Sequence, residues 1–126
     1  MTDPISFTSA SPRLSLPHLF AGQAQKEVFV NEALTRLDAL VHLVVEQETN
    51  SPPANPEPGL SWLVGSVPTG AWVGHAADIA WQQGGSWVFA KPVPGMRAFD
   101  KATSQQILYD GSWQRAVAVA APSGGT

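Results

Sequence analysis

Cysteine is absent from this chain of 126 residues, which excludes a disulfide framework and any thiolate metal site. Charge is scarce as well. Lys, Arg, Asp and Glu make up only 13% of the residues, and the seven cations are scattered among ten acids without forming a cluster. Binding through nucleic-acid phosphates needs several converging cations, so no nucleic-acid partner is expected. No stretch approaches the roughly 18 apolar residues that a membrane-spanning helix requires. The opening MTDPISFTSASPRL places an acid early and holds no apolar core of signal-peptide length. The expectation is a soluble chain with neither a cleavable export signal nor a membrane partner. Apolar residues are plentiful at 44%, with 11 Gly, 11 Pro and five Trp. With so little charge, part of the surface should be an interface rather than solvated.

The length fits one ordinary domain, and the pattern along it predicts an α+β chain in five segments. Residues 1–21 are rich in Ser and Pro and lack periodicity, with Pro4, Pro12 and Pro17 forbidding a long helix. They read as an extended docking arm whose apolar words Leu14, Leu16, Leu19 and Phe20 would seat on a partner. Residues 22–48 read as a helical oligomerisation segment. Its main helix, NEALTRLDALVHLVVE, starts at Asn31 as N-cap, with Glu32 favouring the positive end of the dipole. A start near Gln23 is the alternative, but Val28-Phe29-Val30 has β character. Val30, Leu34, Leu37, Val41 and Val44 recur at spacings of 4, 3, 4 and 3, a coiled-coil seam. Phe29, Ala33, Leu40 and Leu43 form a second row, while Asn31, Thr35, Asp38 and His42 mark a wet face. One row is expected to face neighbouring subunits and the other a sheet, making the protein a homo-oligomer.

Residues 49–59 contain NSPPANPEPG, a semi-rigid connector after which all five Trp lie. Residues 60–119 read as a small antiparallel β-meander of Trp/Gly hairpins. Ile79-Ala80-Trp81 and Trp87-Val88-Phe89 flank Gly84-Gly85. Ile107-Leu108-Tyr109 and Trp113 flank Asp110-Gly111, a strong two-residue turn signal. The two hairpins resemble each other, since Gly85-Ser86-Trp87 matches Gly111-Ser112-Trp113. Residues 120–126 form a Ser/Gly terminus expected to be flexible.

Little of this carries chemistry. His18, His42 and His75 have no metal-ligand spacing. His75 and Asp78 lie three apart and are the one close acid–imidazole pair in the β half, readable as a general base with its orienting carboxylate or as a loop histidine bonded to a turn. The latter is the commoner arrangement. Gly84-Gly85-Ser86-Trp87 lacks the nucleophile-elbow pattern and sits in a hairpin. No catalytic residue, cofactor or metal is expected. The aromatics are the serious candidates, either as the core of a small sheet or as rings stacking on a host glycan. Trp87 and Phe89, and Ile79 and Trp81, share strand faces and read as core. Trp72, between Gly70 and Gly74, reads as exposed, and Trp72 with Trp113 would carry a carbohydrate-binding function.

Longer words add to these observations. They are Pro12-Arg13-Leu14, Gly22-Gln23-Ala24-Gln25-Lys26-Glu27-Val28, Asn31-Glu32-Ala33-Leu34, Leu37-Asp38-Ala39-Leu40, Trp62-Leu63-Val64-Gly65, Thr69-Gly70-Ala71-Trp72-Val73-Gly74-His75 and Gly85-Ser86-Trp87-Val88-Phe89. Over residues 11–113 the chain resembles a family of unknown-function domains found in alphaproteobacterial phages, prophages and gene transfer agents, in tail-fibre or head-spike proteins. The family has no established catalytic residues. The resemblance implies a structural virion protein, assembled in the bacterial host cytoplasm. It would be an oligomeric adaptor or anchor of a head spike, vertex decoration or tail fibre, trimeric or pentameric, docked on capsid, vertex or tail proteins. Fibre members continue into a receptor-binding region; ending at Thr126, this chain reads as the anchoring module alone. Carbohydrate binding to host surface glycan is the alternative.

Overall fold

A computed structural model describes residues 10–18 and 26–115 and, within the helix, the side chains from Phe29 onward. Among the described residues the architecture is mixed α+β, with one α-helix, a short 3₁₀ turn and eight short strands in two four-stranded sheets. The chain divides into two compact units between Val41 and His42. The proline-rich connector 49–59 therefore lies inside the second unit rather than at the boundary.

In the first unit the helix, α1, runs Lys26–Leu40. It begins before Asn31, which is therefore not the N-cap; the Asn31 carbonyl instead accepts the Thr35 hydroxyl at 2.9 Å. The β character of Val28 and Val30 is a weak preference, and it yields to the helical context. The far end is also corrected. Val41 N–H makes a last bond to the Leu37 carbonyl at 2.8 Å, and His42 then takes a left-handed conformation, φ 51°, which stops the helix. Val44 lies in a strand, so the predicted helical seam ends at Val41.

The predicted wet face is partly buried. Asp38 is 1% exposed, and its carboxylate accepts the Ser11 hydroxyl and the Leu14 amide at 2.5 Å each and the Arg13 amide at 3.0 Å. The Arg13 guanidinium donates to the carbonyls of Asp38, Ala39 and Val41. The carbonyls of Asp38 and Ala39 belong to the last helical turn and that of Val41 follows it, where intrahelical partners run out and the dipole is negative. Arg13 thus caps the helix from a distant segment. In place of an extended arm, residues 10–17 close into a turn. The Ser11 amide donates to the Leu16 carbonyl at 2.9 Å, and Ala10 bridges Pro17 in antiparallel fashion. Thr35 is buried too.

The second unit starts with an extended run that serves both sheets. Strand β1 (Val44–Val45) pairs in parallel with β6 (Arg97–Asp100), and β2 (Glu48–Thr49) pairs in parallel with β3 (Ser61–Val64). One sheet then continues antiparallel through β7 (Gln105–Tyr109) to β8 (Trp113–Arg115), in the order β1-β6-β7-β8. The other continues through β4 (Ile79–Gln83) to β5 (Ser86–Ala90), in the order β2-β3-β4-β5. Two mixed sheets therefore stand where one antiparallel meander was expected. Val44 and Val45 suit a strand because β-branched side chains pack well on a pleated surface. They also alternate, Val45 being buried and Val44 half-exposed.

Between β4 and β5 the two-residue turn Gly84–Gly85 has φ of 62° and 85°, a conformation that glycine adopts without steric cost. Between β7 and β8 the loop holds three residues, 110–112, because Tyr109 pairs with Trp113; the expected two-residue turn is one longer. Ties between the sheets are polar. Arg115 reaches Asp100 at 2.6 Å and Glu48 at 2.8 Å, and Trp113 Nε1 donates to the Ala77 carbonyl at 2.8 Å. Asn50, in the connector, accepts the Val67 amide on its side chain and the Thr69 amide on its carbonyl.

Two substitutions test these supports. Asp38→Ala leaves the Arg13 and Leu14 amides and the Ser11 hydroxyl without their acceptor, at an expected cost of about 2–3 kcal/mol, read as faster hydrogen exchange at those amides. At Gly65 an added Cβ would collide with Asn50 Oδ1. Gly65→Ala should therefore cost about 1–3 kcal/mol, read as a lower urea midpoint.

Candidate functional site

Three places were candidates from the sequence: the aromatic set, the His75–Asp78 pair and the helix seam. The aromatic set resolves first. On one face of the β2-β3-β4-β5 sheet, Trp62, Val64 and Ala80 form a buried cluster with Trp72, and Leu60, Trp87 and Phe89 pack around it. Ala80 faces Trp62 on one side and Phe89 on the other, and its small side chain leaves room for both rings. Trp87 meets Trp62 at 5.8 Å and Trp72 at 5.2 Å between ring centroids, both T-shaped, the arrangement that ring quadrupoles favour. Trp72 is 0% exposed, which corrects its assignment as a glycan contact. The turn-rich sequence around it hides this, because the Thr69–Val73 3₁₀ turn folds the ring inward. Its indole nitrogen has no hydrogen-bond partner among the described residues. Trp113 is half-buried, stacks edge-on with Tyr109 and is committed to the Ala77 carbonyl.

His75 and Asp78 do come together. His75 Nδ1 lies 3.0 Å from Asp78 Oδ2, and Lys91 Nζ is 3.9 Å from the other carboxylate oxygen. One face of the imidazole is stacked on Phe89, with centroids 3.5 Å apart and planes 4° from parallel. The backbone explains the placement. The Asp78 amide donates to the His75 carbonyl and the Val64 amide to the Asp78 carbonyl, so a closed turn docks on the end of β3. Asp78 is buried and the imidazole is held on two sides. These contacts brace the loop against the end of β3.

The helix presents the third candidate. Phe29 is 71% and Leu37 52% exposed, and Val30 and Val41 are exposed with them. Ala33 lies exposed between, and Leu34 is half-buried. Of the seam residues, Val30, Leu37 and Val41 thus share an uncovered stripe, extended by Phe29, while Val44 pairs with Phe99 in a sheet. Of the docking residues, Leu14 is exposed and Leu16 half-buried; Leu19 and Phe20 lie outside the described residues.

Arg115 stands at the centre of an ionic network with Glu48 and Asp100. Hydrogen bonds to Glu48 first and to Asp100 second raise the Arg115 guanidinium above its ordinary pKa, because both stabilise the charged form. Among the described residues no group of three or more His, Asp or Glu side chains is arranged to hold a metal ion, and no helix is long and apolar enough to cross a membrane.

If Trp72 is core rather than contact, Trp72→Ala should cost about 3–5 kcal/mol of stability. A urea titration followed by Trp fluorescence reads that loss directly, and an unchanged midpoint would place the ring outside the core.

Residues 30–114, well over half of the chain, match the family described as protein of unknown function (DUF2793). No curated protein matches the chain.

Proposed function

We propose that this chain, which belongs to the DUF2793 family of proteins of unknown function, is a structural component of a phage-type particle that self-assembles through α1. One observation carries this reading. The helix buries Thr35 and Asp38 yet leaves Phe29, Val30, Leu37 and Val41 in solvent, the reverse of a helix that packs for its own sake. An uncovered apolar stripe of this kind marks an interaction surface. Val30, Ala33, Leu37 and Val41 follow spacings of 3, 4 and 4, which suit a second copy of the same helix better than an unrelated surface.

The stripe is short for an independent coiled coil. The Arg13 and Asp38 contacts offset this by fixing the helix before association, so less ordering is required at the moment of binding. Resemblance to the domains of alphaproteobacterial phages, prophages and gene transfer agents supplies the setting: an adaptor or anchor of a head spike, vertex decoration or tail fibre. The assembly would be threefold or fivefold, with capsid, vertex or tail proteins as its neighbours.

Mass measurement by light scattering on the purified chain tests the assembly step. A trimer or pentamer is expected, and Leu37→Asp should convert it to a monomer with unchanged circular dichroism. Substitution at so exposed a position shifts the monomer's own stability by only about 0.5 kcal/mol. A stable monomer at micromolar concentration overturns the proposal.

A further inference from the structure

The β1-β6-β7-β8 sheet buries one face and opens the other. Val45, Ala98, Asp100 and Ile107 point inward. Register places two rows on the opposite face: Val44, Phe99 and Gln106 in one, and Arg97, Leu108 and Gln114 in the next. Two open depressions, of about 440 and 240 Å³, run along these rows and share Arg97 and Gln106 in their walls.

Chemistry narrows the occupant. The chain carries a net charge of −3, yet neither depression is lined by Asp or Glu, while His42, Arg97 and Arg115 line them. Arg115 is already held by Asp100 and Glu48. Arg97 is exposed, and its guanidinium makes no hydrogen bond or ion pair among the described residues. Phe99, 39% exposed, is two residues along the same strand face. Gln106 and Gln114 are exposed with their amides unpaired among the described residues.

We infer that this face is a binding groove for an acidic polysaccharide chain. Arg97 takes a carboxylate by its planar fork, Phe99 supports the apolar face of a sugar ring, and the two amides, each both donor and acceptor, meet hydroxyls of the same dual character. Arg97, the cation without a partner among the described residues of these two rows, is by itself too few for a nucleic-acid backbone. A peptide strand would join a sheet at its edge through backbone groups, whereas the unmet groups here are side chains on the face. The open depressions suit an internal stretch of the polymer. This site is independent of the self-assembly reading and stands or falls whatever the oligomeric state.

The test is titration of the ¹⁵N-labelled full chain with oligogalacturonate, with a neutral cello-oligosaccharide and a polyglutamate peptide in parallel. Saturable shifts of the Gln106 and Gln114 side-chain amides are expected with oligogalacturonate alone. Arg97→Gln should weaken binding about tenfold or more, the loss of a charge-assisted bidentate contact, and Phe99→Ala should weaken it as well. Both positions are exposed, and the amide shifts in the unaltered protein report contact without relying on either variant. Absence of saturable shifts, equal binding of polyglutamate, or undiminished affinity in Arg97→Gln each overturns the assignment.

Discussion

Residues 43–49 form one extended run whose backbone is divided between two sheets, and the second unit depends on that division. The carbonyls of Leu43 and Val45 accept the amides of Phe99 and Lys101, after which the Glu46 amide donates to Ser61 and the carbonyls of Gln47 and Thr49 accept Leu63 and Gly65. The changeover takes place between two consecutive residues. Side chains reinforce it, with Glu46 paired to Lys101 and Glu48 to Arg115. Because both sheets begin on the same few residues, neither can lose its first strand without disturbing the other. The sheets also share a plan: a two-residue parallel strand followed by three antiparallel strands in chain order. That plan accounts for the resemblance between residues 79–87 and 107–113, which fall on corresponding strands β4–β5 and β7–β8.

The first unit inverts the usual rule for a surface helix. Its acid is inside and its aromatic is outside. Burial of Asp38 is tolerated because three donors converge on its carboxylate, and a fully hydrogen-bonded anion avoids most of the desolvation penalty that an unpaired one incurs. The apolar stripe has no such compensation among the described residues. In the second unit the open sheet face shows a complementary imbalance: among the described residues, Arg97, Gln106 and Gln114 lack side-chain partners around the exposed Phe99 ring. One surface is apolar and the other polar with a guanidinium, so the two differ in the chemistry they expose.

Local signals were legible in the sequence. The Gly84-Gly85 turn, the strands on either side of it and the burial of Ile79 and Trp81 all follow from alternation and turn chemistry, while Trp87 and Phe89, expected to be core with them, are half-buried against the Trp62–Trp72 cluster. The end of the helix was not, because Leu43, Val44 and Val45 fit both a 3.6-residue and a 2-residue period; only pairing with β6, more than fifty residues later, decides for a strand. Nor was the role of Asp38 legible, since its partners lie about 25 positions upstream and a carboxylate on a helix ordinarily reads as solvated. Trp72 failed for a similar reason. Flanking glycines suggested exposure, yet they are what lets the chain turn tightly enough to bury it. The Arg97–Phe99–Gln106–Gln114 face left no local trace, because it exists only through the register of three strands.

Arg13 and Arg115 lie in the sequence on either side of the segment that matches the family. Arg13 caps the helix from one side of residues 30–114, and Arg115 ties the sheets from the other. A fragment cut to the family boundaries would begin four residues inside α1, leave the Asp38 carboxylate without Ser11, Arg13 and Leu14, and strand Asp100 without its cation. The matched span thus leaves out side chains that hold α1 and join the two sheets, and a piece of this chain cut at residues 30 and 114 would lack both supports.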